Sequence, residues 1–325
     1  MRLSSLLLIL LVLLGQSTQG SNRTVVPQFF GRYCDTASPL SFVWIPQGTK
    51  KPQKLLPYTT DQTFRSSTGM LAVLASDDDG NEFVAAYKSG KRLLKKYLRS
   101  TGNTLAGWYR SSIVVVSDGR PVQVALATGE LTAFAGPQDT GQVDSLSTGD
   151  VFVRFGKAQD TVELRTTDAR SYSWQKPLRP DQESWTVVGN RYLALSCSLM
   201  RGDNVFAGEP RLWLIDLENR NDRLLEVRTV CGLTPGRKPN ELLIGSCDSR
   251  FRVEALDLKL MKRRTLLVAR NTRSELVGLS VDKKWLLLHT GYADVGPGYL
   301  WAVNLVTHKT VRIQENVYGC TLSSP

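Results

Sequence analysis

Arg211-Leu-Trp-Leu-Ile-Asp and Phe251-Arg-Val-Glu-Ala-Leu are two short runs rich in aliphatic and aromatic residues, beginning 40 residues apart. Each is followed by a polar turn and a further short run, Arg223-Leu-Leu-Glu-Val and Thr265-Leu-Leu-Val. Runs of the same kind begin at Leu40, Glu82, Val122, Thr161 and Tyr299. Branched and aromatic residues in short runs between turn residues indicate β-strands. Ahead of most of them lies a more continuously apolar run, such as Leu71-Ala-Val-Leu-Ala, Ile113-Val-Val-Val or Trp285-Leu-Leu-Leu-His. Before that comes a weaker Gly/Ser-rich segment, such as Val230-Cys-Gly-Leu or Val277-Gly-Leu-Ser. The unit is therefore four strands, a to d, repeating every ~40 residues.

A four-stranded sheet of that size cannot bury both of its faces alone. Packed between two neighbours it can, and closing such an array into a ring removes the unpaired ends. The spacing predicts an all-β fold: a seven-bladed β-propeller of four-stranded blades. Strand b is nearly all apolar, as a strand covered on both faces requires. Strand d carries Lys95 and Lys96, charges that discourage edge-to-edge pairing. The last residues, Val317-Tyr-Gly-Cys-Thr-Leu-Ser, match the strand a segments and then stop, whereas the first unit opens on a strand b, Thr24-Val-Val-Pro-Gln-Phe-Phe. The C-terminal strand is thus expected to join the N-terminal blade and close the ring. Cys34 and Cys320 then share one rim, where a disulfide would lock the closure. Over essentially the whole mature chain the sequence resembles the seven-bladed propellers of the TolB-like, YVTN-like and WD-repeat superfamily. Leu212-Trp-Leu-Ile-Asp-Leu and Val253-Glu-Ala-Leu-Asp-Leu are similar to the third strand and following turn of such blades. What the resemblance implies is architecture alone, and it assigns no functional residue.

The N-terminus reads as an export signal. Met1-Arg2 supplies a positive start, Leu6 to Leu14 is apolar, and small and polar residues run to Gly20. Residues 1–20 are the expected signal peptide and 21–325 a single propeller domain, secreted or periplasmic. The apolar run is shorter than the ~20 residues of a spanning helix, so the mature chain is not expected to be transmembrane. An oxidising compartment permits disulfides among the five cysteines, and the odd count leaves at least one thiol outside intramolecular pairs. Cys197, Cys231 and Cys247 fall near one rim without disclosing which pair forms. With two histidines and no CxxC, the chain has little material for a zinc site, and no metal or cofactor is expected.

Long loops on a rigid scaffold are where binding usually resides. Three b–c loops are long: residues 31–39, 197–210 and 290–298. They place Arg32, Tyr33, Arg201, Asp203, Phe206, Tyr292 and Asp294 on a ligand-binding rim, for a protein or small molecule. Arg201-Gly-Asp is also a three-residue match to an integrin-docking triplet, of a length common by chance. Asp77-Asp78-Asp79-Gly80 could attract a cation, but Asp-Gly in a hairpin is ordinary turn chemistry. His289 ends a strand b beside one long loop. It and Asp294 are the weak candidates for catalysis, set against the commoner structural role of a histidine at a strand end. No Gly-x-Ser-x-Gly elbow or phosphate loop supports an enzyme.

The charge is lopsided, with 41 Lys and Arg against 30 Asp and Glu. Its distribution is more informative than its total. The c–d turns and adjoining strand ends carry Lys50, Lys51, Lys88, Lys91, Arg92, Lys259, Lys262, Arg263, Arg264 and Lys309, and the a–b turns add Arg237, Lys238, Lys283 and Lys284. These belong to consecutive blades, so one face is expected to carry a basic sector. It would suit an anionic glycan or envelope surface, against the plainer reading of a solvated rim. Base-stacking aromatics are not interleaved with it, so no specific nucleic acid is expected. The sequence therefore reads as an exported, non-catalytic binding or interaction module. The alternative is a glycan-active or lactone-type hydrolase or lyase with its site at the channel mouth.

Overall fold

The computed structural model describes residues 29–33, 41–45, 53–56, 62–66, 69–138, 141–146, 149–155, 161–166, 171–175, 178–189, 191–199, 209–219, 221–248, 250–269, 274–280, 282–291 and 298–317. Their strands form six sheets. The first holds β1 (Phe29–Tyr33), β2 (Ser41–Ile45) and β3 (Gln53–Leu56). The second holds β4 (Gln62–Arg65), β5 (Leu71–Ser76), β6 (Glu82–Lys88) and β7 (Lys91–Tyr97). The third runs through β8 (Thr104–Tyr109), β9 (Ser112–Ser117), β10 (Arg120–Ala125) and β11 (Leu131–Ala133), then β12 (Gln142–Leu146), β13 (Gly149–Phe155), β14 (Thr161–Thr166) and β15 (Ser171–Gln175). The fourth is β16 (Leu178–Val188), β17 (Tyr192–Leu199), β18 (Glu209–Asp216) and β19 (Asn221–Glu226). The fifth is β20 (Val230–Pro235), β21 (Glu241–Cys247), β22 (Phe251–Asp257) and β23 (Lys262–Ala269). The sixth is β24 (Ser274–Leu279), β25 (Trp285–Thr290), β26 (Gly298–Asn304) and β27 (Thr310–Val317).

Each sheet is an antiparallel meander with strands in chain order, except the third, whose order is β11-β10-β9-β8-β12-β13-β14-β15. The innermost strands of successive sheets lie side by side, β4 with β8, β16 with β20 and β20 with β24. At the other end of the chain β27 comes beside β1, so the succession of sheets returns on itself. This is a β-propeller of four-stranded blades. The expected count of seven separate blades is corrected: the described residues make five complete sheets, four of four strands and one of eight, and a further sheet of three. Two physical features account for the difference. The parallel pairing Val143↔Gly107 joins β12 to β8 and fuses two meanders into one sheet. In the first sheet the expected partner of β1 is the segment after Val317, which lies outside the described residues, as do Cys34 and Cys320.

The core is the set of faces between sheets. Ala72, Leu74, Val84 and Ala86 of the second sheet pack on Leu105, Trp108, Ile113 and Val115 of the third. Leu243, Phe251 and Val253 of the fifth meet Leu276, Leu286 and Leu288 of the sixth. Because both faces of β5, β21 and β25 are covered, their side chains are buried almost without alternation, as the apolar strand b runs predict. Each such Leu or Val contributes about 1.5–3 kcal/mol by leaving water. The outer strand β7 instead exposes Lys91, Arg92 and Leu93. Lys95 lays its ammonium 4.1 Å from the centre of the Phe83 ring, covering apolar surface while keeping the edge charged.

The Gly-bearing inner strands have a specific task. Gly107 lies at φ +133° in a bulge of β8, and a Cβ there would sit 2.0 Å from the Val143 carbonyl oxygen. Gly232 of β20, at φ +119°, faces the Leu276 carbonyl of β24 in the same way, at 2.2 Å. Inner strands can approach this closely only where the side chain is absent.

Candidate functional site

Antiparallel meanders put every a–b and c–d turn at the same end of its sheet. The c–d turns of the fourth, fifth and sixth sheets are built to one pattern, whereas the second sheet closes with the two-residue turn Ser89-Gly90. In the fifth sheet Asp257 accepts from Lys259 N (3.0 Å) and Leu260 N (2.9 Å), and Met261 N donates back to Asp257 O (2.7 Å). In the sixth, Asn304 accepts from Val306 N and Thr307 N (both 2.9 Å), and His308 N donates to Asn304 O (2.9 Å). Met261 (φ 55°) and His308 (φ 57°) take the left-handed conformation that ends each turn. The leucine after the capping residue ties the c–d turn to its a–b neighbour: Leu217 N to Arg191 O, Leu258 N to Asn240 O and Leu305 N to Lys284 O, each 2.8 Å. Thus the Asp-Leu and Asn-Leu pairs hold both turns of a sheet in one rigid end.

On the fifth and sixth sheets that end is cationic. Lys259, Lys262, Arg263, Arg264, Arg237, Lys238, Lys283, Lys284 and Lys309 are all exposed. Lys88, Lys91 and Arg92 are exposed on the second sheet, while Lys50 and Lys51 lie outside the described residues. The residues are not equivalent. Arg264 places Nη2 3.3 Å from Glu241, a carboxylate whose side chain is 6% exposed, and Arg263 donates to the Glu226 carbonyl at 2.7 Å. Those two arginines are committed to the protein, and the lysines, with Arg237, are the charges presented outward.

The fourth sheet treats its charge differently. Asp216 is buried and receives Arg191 through both oxygens (Nε 3.1 Å, Nη2 2.8 Å), together with Glu218 N, Asn219 N and the Asn219 amide. Burial pushes its pKa up, but these donors outweigh burial and hold the carboxyl below its ordinary value. Arg191 also meets Glu218 at 2.6 Å, so the cation is used internally. Between this end and that of the fifth sheet is an open cleft of about 200 Å³, lined by Arg191, Tyr192, Asp216, Arg223, Lys259 and Met261.

The opposite rim is described only in part. Arg32 and Tyr33 form the end of β1, and Arg201, Asp203, Phe206, Tyr292 and Asp294 lie outside the described residues. His289 is 2% exposed in β25, opposite Glu275 and Leu300 in the neighbouring strands. A Cβ on Gly298 would sit 2.7 Å from its Nε2, so the imidazole is packed beneath that glycine. Asp77 accepts from Asp79 N (3.1 Å) and Asn81 N (2.8 Å), which closes the β5–β6 hairpin as a turn. Among the described residues no group of three metal-ligating side chains is present, and no helix is long and apolar enough to cross a membrane.

Solved structures share this architecture. An oligogalacturonate lyase in complex with manganese superposes with a TM-score of 0.52 at 15% identity, covering 90% of this chain and 85% of that one. A protein from Bacteroides uniformis assigned as a 6-phosphogluconolactonase gives 0.52 at 11% identity, covering 90% and 96%. The β-propeller domain of Cps50 (Swd1) from Myceliophteria thermophila gives 0.49 at 14%, covering 79% and 88%. No family model and no curated protein matches the sequence. The likeness is one of fold.

Two features escaped the sequence reading. Cys231 and Cys247 form a disulfide between β20 and β21, with Cα atoms 5.9 Å apart. Strand a and strand b positions were legible, but the bulge between Val230 and Leu233 that brings these two together was not. Cys197 remains a buried thiol whose pKa burial pushes up to about 12. The second feature is apolar: Leu260 and Val306, at the tips of the basic turns, are 62% and 65% exposed. Their signal is a further aliphatic residue in each turn, one or two positions after the leucine that follows the capping Asp257 or Asn304.

Proposed function

We propose that the protein is an exported, non-catalytic binding module that holds an anionic surface with the turn end of its fifth and sixth sheets. The observation that carries this is the outward display of Lys259, Lys262, Lys283, Lys284 and Lys309 on two adjacent, rigidly tied turn systems. At the equivalent end of the fourth sheet, by contrast, Arg191 is paired internally with Asp216 and Glu218. Clustered like charge on a fixed scaffold raises the local potential and attracts polyanions. The Cys231–Cys247 disulfide fits an oxidising compartment, in keeping with residues 1–20 acting as an export signal. The long-loop rim remains the place for a protein or small-molecule ligand.

The test is retention on heparin of the wild type and of Lys259→Glu/Lys262→Glu/Lys283→Glu/Lys284→Glu. Arg264 is kept so that its pair with Glu241 survives. Retention lost in the variant supports the reading; equal retention of both proteins, or none in the wild type at low salt, rejects it.

A further inference from the structure

Among the described residues, Leu260 and Val306 are the most exposed large apolar side chains, and both sit on the basic end. Neither is required by its turn. The corresponding tip of the fourth sheet carries Glu218 and Asn219 with the same backbone bonds, so polar residues satisfy the geometry equally well. Leu260 follows Lys259 and lies two residues before Lys262, and Val306 is followed within three residues by His308 and Lys309, with Lys283 and Lys284 on the adjoining turn of the sixth sheet. The sheets that carry these tips are packed directly against one another through β20, β24 and the Leu243–Leu286 core.

We infer that the anionic surface is a lipid bilayer, docked on this turn end with Leu260 and Val306 inserted between the headgroups. This rests on the reading of the basic end as an anion-binding face and adds the identity of its partner. A polyanionic glycan offers nothing to an aliphatic tip, whereas an anionic bilayer offers charge at its surface and hydrocarbon just below it. Lys259 and Lys262 beside Leu260, and Lys309 beyond Val306 with Lys283 and Lys284 on the adjoining turn, can keep their ammonium groups at headgroup level while the aliphatic side chains go deeper. A protein partner would favour one contiguous apolar patch with aromatic anchors over two separate aliphatic tips. The tips are also preorganised: the Asp257 and Asn304 caps and the closing bonds at Met261 and His308 fix both turns before contact. Little conformational freedom is then lost on docking.

The experiment compares co-sedimentation with vesicles of phosphatidylcholine alone and of phosphatidylcholine mixed with phosphatidylglycerol, alongside heparin retention. The proteins are the wild type, Leu260→Ser/Val306→Ser and the lysine-reversal variant. The wild type is expected to sediment with the mixed vesicles and not with phosphatidylcholine. The tip variant should bind mixed vesicles about tenfold more weakly with unchanged heparin retention, since only insertion is removed. Both substitutions are at exposed positions, and unchanged heparin retention also shows that the variant is folded. Equal vesicle binding by tip variant and wild type would overturn the insertion. Heparin retention without vesicle binding would overturn the lipid assignment and leave the basic face standing, with a glycan as its partner. Failure on both supports would remove the basic-face reading itself.

Discussion

At Gly107 and Gly232 the missing side chain makes room for the backbone of the next inner strand. Alanine at position 107 must clear a carbonyl 2.0 Å away from a strained φ, whereas Gly119, also at positive φ (+73°), has nothing within 4 Å. Urea unfolding should therefore show Gly107→Ala costing more than about 3 kcal/mol and Gly119→Ala only about 1. Equal costs would mean that conformational strain alone decides both sites. Asp216 is the second residue whose environment makes a quantitative demand. Its carboxyl is held below the ordinary value of 3.8, so its stabilisation is complete above that value and is lost as pH falls through the lower folded one. At neutral pH Asp216→Ala should cost about 2–3 kcal/mol, and the gap from wild type should narrow progressively on acidification below pH ~4. A gap that stays constant into acid would show that the charge on Asp216 is not what the Arg191 pair recognises.

The four-stranded element was legible because its signals are local. Apolar runs marked the covered strands, and the Asp-Leu pairs after Ile215 and Leu256 marked turns whose capping bonds the structure supplies. The fused third sheet was not legible, since one backbone approach between Gly107 and Val143 separates a shared sheet from two neighbouring ones. Nor was the disulfide, because pairing depends on a bulge that shifts Cys231 relative to β21. The Cys231–Cys247 link closes a 16-residue separation, worth about 3 kcal/mol in the chain-entropy account. Cys231→Ser/Cys247→Ser should accordingly lower the melting temperature, while Cys197 in the native protein should resist alkylation at neutral pH. Rapid labelling of Cys197 before unfolding would contradict both its burial and its raised pKa.

For the whole molecule, the repeat accounts for how the chain covers its sheets, and function is sought in departures from it. The charged turn end was partly readable, since lysine positions follow from the turn register. What required the structure was the division of labour among them, with Arg263 and Arg264 bound to the protein and the lysines turned outward. Closure was read from the C-terminal match to strand a. On that account non-reducing peptide mapping should recover Cys34 linked to Cys320 as well as Cys231 to Cys247. Recovery of Cys34 or Cys320 paired with Cys197 would break the register on which the closure depends. The central claim, an anion-binding face built from outward lysines, is tested most directly by the salt dependence of heparin affinity. Log affinity should fall linearly with log salt, and the fourfold lysine-to-glutamate variant should show a shallower slope, because fewer counterions are released. An affinity independent of salt, or a slope unchanged by reversal of Lys259, Lys262, Lys283 and Lys284, would contradict it.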